Sequence, residues 1–108
     1  MSRFSVEWQA DVKEAGADAA GRLARVIEEL GAYQKVAASR CKSNGEGRVS
    51  FRFTVEGFNS PMFARAWAER ALRMSLFHAR VGAPDLPLGE PAVRLVLDDR
   101  PIVRPMAD

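Results

Sequence analysis

Residues 40–57 read RCKSNGEGRVSFRFTVEG, and the way this stretch folds back on itself decides the architecture. Asn44-Gly45 is a strong hairpin signal, because both residues tolerate the positive φ of the tight turn whose twist matches its flanking strands. After it, Val49, Phe51, Phe53 and Val55 alternate with Ser50, Arg52, Thr54 and Glu56. That period of two describes a strand with one apolar and one polar face. Before it, YQKVAASRC (33–41) supplies the other arm. A two-residue turn at Asn44-Gly45 pairs Val36 with Phe53 and Ala38 with Phe51. It therefore predicts Ala37, Ser39 and Cys41 on the face of Ser50, Arg52 and Thr54.

Which face is inside follows from cost. If the phenylalanines pointed outward, Arg52 would be driven into the core, and burying an unpaired guanidinium costs several kcal/mol. A domain is stable by only about 5–15 kcal/mol. Phe51 and Phe53 are therefore core residues, and Arg52 is on the open side.

The alternation occurs twice. FSVEWQAD (4–11) sets Phe4, Val6, Trp8 and Ala10 against Ser5, Glu7, Gln9 and Asp11, and it aligns on VSFRFTVE (49–56). Each of these strands precedes a helical pattern. In the first half Ala20, Leu23, Ala24, Ile27 and Leu30 fall at helical spacing, and Gly31 supplies a stop. In the second, Ser60 is placed as N-cap and Pro61 as the first helical residue. Phe63, Trp67, Ala71, Met74 and His78 then form the expected buried stripe, with Arg80 in the last turn and Gly82 closing it. AVRLVLD (92–98) reads as a final strand with Val93, Leu95 and Leu97 on one face.

The order is βαββαβ. Two such halves predict an α+β ferredoxin-like plait, a four-stranded antiparallel sheet with two helices on one face. The rival is another α+β strand order built from the same elements. Residues 1–100 make one domain, and residues 101–108, with prolines at 101 and 105, an extended tail. The connection 82–91, GAPDLPLGEP, is long and is expected to expose Leu86 and Leu88.

Sixteen basic and fourteen acidic residues leave a net charge of +2, too mild to imply a polyanion partner by itself. No apolar run approaches the ~20 residues that span a bilayer, so no membrane association is expected. The first residues carry Glu7 and Asp11 where a signal peptide needs a continuous apolar segment. The single cysteine excludes an internal disulfide and fits a reducing, cytoplasmic setting.

No catalytic set emerges. His78 is the only histidine and is expected at the edge of the core. Cys41 has Arg40 and Lys42 beside it, which would lower a thiol pKa, yet no partner base is indicated. Asp98 and Asp99 are adjacent and so point oppositely on a strand. GEG lies in a hairpin, not between a strand and a helix, so it is no phosphate loop. Neither metal nor cofactor is expected.

What remains is the open sheet face, with Glu7, Gln9, Ser50, Arg52, Thr54 and Arg94. The expected function is a non-enzymatic interaction or ligand-binding module, pairing through this face with a second copy to form a homodimer, or with another protein. The alternative is a nucleic-acid-binding module using the basic hairpin rim of Lys35, Arg40, Lys42 and Arg48. It ranks second, because base stacking needs aromatics on the open face and here they point inward. A small enzyme whose pocket forms between protomers is a third class.

Overall fold

In the computed structural model, which describes residues 2–11, 19–43, 47–81 and 88–96, the two alternating segments lie side by side at the centre of the sheet. They are β1 (Ser2–Asp11) and β3 (Arg48–Phe58), antiparallel along their whole length. β2 (Val36–Ser43) flanks β3, and β4 (Ala92–Val96) flanks β1, so the order is β2-β3-β1-β4. With α1 (Ala19–Gly31) and α2 (Pro61–Ala79) this is the ferredoxin-like plait. The eight-residue tail 101–108, Gly82, Leu86 and the pair Asp98-Asp99 lie outside the described residues.

The central strands bury one face as their period requires. Phe4, Val6, Trp8 and Ala10 from β1 and Val49, Phe51, Phe53 and Val55 from β3 are all buried beneath the helices. Trp8 stacks on Phe53 with ring centroids 6.2 Å apart. Opposite the Ser2/Arg3 step β3 carries an extra residue, Gly57, at φ 89°. Such a bulge needs the left-handed region that glycine enters without a Cβ penalty.

Both helices present faces that differ from the sequence expectation. In α1, Leu23 and Leu30 are buried as expected, but Val26 joins them, Ile27 is half-buried and Ala24 is exposed. In α2 the buried stripe is Ala64, Ala68, Ala71, Leu72, Ser75, Leu76 and Ala79. Of the expected stripe only Ala71 is buried. Phe63 is 67% exposed and Met74 43%, while Phe77 beside them is 64% exposed. The sheet already supplies the bulk through Trp8, Phe51 and Phe53, so close packing leaves room for alanines opposite and not for further rings. Trp67 is half-buried at the edge, meeting Tyr33 edge-on at 5.5 Å and Phe58 at 5.7 Å.

The ends of α2 are set by specific contacts. Ser60 Oγ accepts the Phe63 N–H at 3.3 Å, and Pro61 follows it. At the other end Arg80, at φ 58°, adopts the left-handed turn usually given to glycine. The Val81 N–H then reaches the Leu76 carbonyl at 2.9 Å. His78 is exposed, not at the core edge, with Nδ1 3.4 Å from Glu29 Oε1 on α1. Leu88 is buried, contrary to its expected exposure on the connection.

Candidate functional site: the open sheet face

The face away from the helices is built from the alternate residues of every strand. On the central pair, register sets Arg3 against Glu56, Glu7 against Arg52, and Asp11 against Arg48. Between these stand the neutral pairs Ser5 with Thr54 and Gln9 with Ser50. All three charged pairs join an acid to a base across the same two strands.

Glu7 is the centre of this network. Its carboxylate accepts a 2.7 Å hydrogen bond from Ser50 Oγ and a 3.4 Å contact from Arg52 Nη2. The Ser50 hydrogen bond, with the Arg52 charge and hydrogen bond beside it, holds the carboxyl below its ordinary value of 4.5 against the opposing cost of desolvation. Arg48 Nη1 donates to Gln9 Oε1 at 3.2 Å. Arg94 stands opposite Ser5 on β4. Glu7, Gln9, Ser50, Arg52, Thr54 and Arg94 thus share one face, as their alternation requires.

β2 corrects the sequence reading. Its last pair with β3 is Ser43 with Val49, so the connection is longer than a two-residue turn at Asn44-Gly45 and the parity inverts. Arg40 lies opposite Arg52, Lys42 opposite Ser50, and Ala38 opposite Thr54. Ser39 and Cys41 instead oppose Phe53 and Phe51 on the helix side. A register shift between Val36 and Ala38 returns Val36 to the core, against Val55 rather than Phe53. Burial pushes the Cys41 thiol up, the reverse of what the flanking cations would do. That removes the basis for an activated thiolate.

The inversion merges two groups that the sequence kept apart. Arg40, Lys42 and Arg48 of the expected basic rim now share the open face with Arg52. Lys35 does not join them. Its ammonium sits 5.3 Å from the centre of the Phe58 ring, and its carbonyl accepts the Glu56 N–H at 2.9 Å.

Two clefts open on this face. One, of about 180 Å³, is lined by Glu7, Arg40, Lys42, Ser50 and Arg52. The other, of about 480 Å³, shares Glu7 and adds Gln9, Asp11, Arg48, Glu90 and the buried Leu88. Among the described residues no three His, Cys, Asp or Glu side chains are grouped to hold a metal ion. Arg3, Asp11 and Glu56 belong to the face although the sequence reading did not single them out. Their signal was the strand alternation itself, carried to both ends of β1 and β3.

No protein-family model matches the chain, and no curated protein matches it. Among solved structures it is similar to Rv0793 from Mycobacterium tuberculosis, at 14% identity and TM-score 0.51, with 99% of this chain and 98% of that one covered. It also aligns with SO0527 from Shewanella oneidensis at 19% identity and TM-score 0.49, covering 88% and 89%. At these identities the first likeness speaks to the fold alone. No helix among the described residues is long and apolar enough to cross a membrane.

Proposed function

We propose that this chain is a cytoplasmic, non-enzymatic binding module that pairs with a second copy of itself through the open sheet face. One observation carries the reading: the charge pattern of β1 and β3 is its own complement. A two-fold axis running along the strands between β1 and β3 exchanges them between copies. Arg52 of one copy then lies over Glu7 of the other, Arg48 over Asp11, and Arg3 over Glu56, and the same holds in reverse.

The size is adequate. Four strands about 4.8 Å apart, taken over about eight residues, present on the order of 500 Å² per copy. Two copies reach the roughly 1,000 Å² at which specific interfaces begin. The lone cysteine of the chain fits the reducing compartment.

Nucleic acid is the second reading, favoured by the β2 register that adds Arg40 and Lys42 to the face of Arg48 and Arg52. Against it, the described strands set no aromatic side chain on this face to stack a base. Sedimentation velocity at tens of micromolar tests the pairing. A dimer that Arg52→Glu weakens is expected, and a strict monomer overturns it.

A further inference from the structure

We infer that Arg40, Lys42 and Arg52 form a binding cleft for the phosphoryl group of a small ligand. This rests on the open face being the working surface, though not on its pairing with a second copy, because a single chain supplies every residue.

The first observation is a local conflict. Arg40 and Arg52 are directly opposite across β2 and β3, and Lys42 faces Ser50 one pair further along the same strands. Like charges set directly opposite on a sheet destabilise it. Neither Arg40 nor Lys42 has an ion pair among the described residues. Among the described residues Glu7 is the only acid lining the cleft, and it is already held by Ser50 and Arg52. Three cations around one engaged carboxylate leave an excess of positive charge directed into the opening.

The second observation is shape. The cleft is about 180 Å³, the share of about six waters in the liquid. That volume suits one or two phosphoryl groups and is too small for a whole nucleotide. Two guanidinium forks and an ammonium can each take a different oxygen of a tetrahedral dianion, whereas a planar carboxylate has only two oxygens to offer. The adjoining cleft leads away past Gln9 and Asp11, whose side-chain oxygens can accept from hydroxyl or amino groups on the rest of the ligand.

The wider charge pattern selects a small ligand over a strand of nucleic acid. A strand needs cations along its path and rings to stack on. Here the cations on β2 and β3 give way to Glu7 and Asp11 on β1, and the described strands carry no ring on this face.

Calorimetric titration of the full chain with inorganic pyrophosphate at low salt tests this, with inorganic phosphate and a single-stranded oligonucleotide as separate arms. Saturable binding of pyrophosphate is expected, tighter than that of phosphate and weakened by salt. Arg40→Gln and Lys42→Gln are exposed changes that leave the fold intact, and each should weaken binding tenfold or more. Glu7→Gln, which removes the competing carboxylate, should tighten it several-fold. The inference is overturned if millimolar pyrophosphate shows no saturable binding, or if both glutamine variants bind as the parent does. It is equally overturned if the oligonucleotide binds and loses affinity in these variants while pyrophosphate does not bind. Oligomeric state measured on the same samples separates the two claims. Pairing lays a second copy over the cleft, so pyrophosphate should bind the single chain and shift any dimer towards it. No binding at concentrations where the chain is monomeric refutes only the cleft, and a chain that stays monomeric at a hundred micromolar yet binds pyrophosphate refutes only the pairing.

Discussion

Truncating Leu72 and Phe77 on α2 should have opposite consequences to those that side-chain size alone suggests. Leu72 is fully buried, whereas Phe77 is 64% exposed. Removing a buried leucine side chain costs about 2–5 kcal/mol through lost transfer energy and the cavity left behind. The site lies between α2 and a sheet face filled by large rings that cannot collapse inward, so about 3 kcal/mol is expected for Leu72→Ala. That lowers the midpoint of thermal unfolding by roughly 12–20 °C in a domain of this size. Full burial of a phenylalanine is worth about 1.5–3 kcal/mol, and Phe77 buries only about a third of itself. Alanine also favours the helix by a few tenths of a kcal/mol, so Phe77→Ala should change stability by less than about 1 kcal/mol. Urea unfolding followed by the fluorescence of the buried Trp8 gives both numbers. If Phe77→Ala costs as much as Leu72→Ala, the helix is rotated from the orientation described and the alanine stripe is not its core face.

Three further outcomes follow from local geometry. Gly57→Ala forces a Cβ onto a residue at φ 89° and should destabilise the domain by about 1–2 kcal/mol in the same unfolding assay. Cys41, whose thiol burial pushes up, should react with iodoacetamide at pH 7.5 more slowly than free cysteine, and an equal or faster rate would contradict its place beside Phe51. Glu7, whose carboxyl is held low first by Ser50 and then by Arg52, contributes stability that is complete above its ordinary value of 4.5. That contribution fades as pH falls through the lowered value, because the unfolded chain takes up the proton first. Glu7→Gln should therefore flatten the pH dependence of unfolding below 4.5.

The topology could be read from the sequence because β1 and β3 are long, alternate without interruption, and each precede a helical pattern. A slip of one residue in either would have buried Arg52 or Glu7, so their faces were fixed by cost alone. β2 carries opposing signals. Val36 asks for the helix side while Arg40 and Lys42, at the same parity, ask for the open one, and a two-residue turn keeps all three together. The structure satisfies both through a longer connection and a register shift between Val36 and Ala38. α2 failed for a related reason. Its sequence offers an alanine stripe and an aromatic one, and hydrophobicity favours the rings. Only the volume already filled by Trp8, Phe51 and Phe53 decides for the alanines, and that is a property of the assembled layers. The open face was therefore foreseen on β1, β3 and β4, while the convergence of Arg40 and Lys42 on Arg52 depended on a register shift between Val36 and Ala38 that a simple two-residue hairpin does not contain.

The claim that β1 and β3 form a self-complementary surface is tested most directly by exchanging its central charges and measuring the dimer by analytical ultracentrifugation. The parent chain should dimerise, Glu7→Arg and Arg52→Glu should each weaken that dimer at least tenfold, and the double variant carrying both should recover most of the loss. A parent chain that stays monomeric at a hundred micromolar, or a dimer unchanged by either single reversal, would contradict the account.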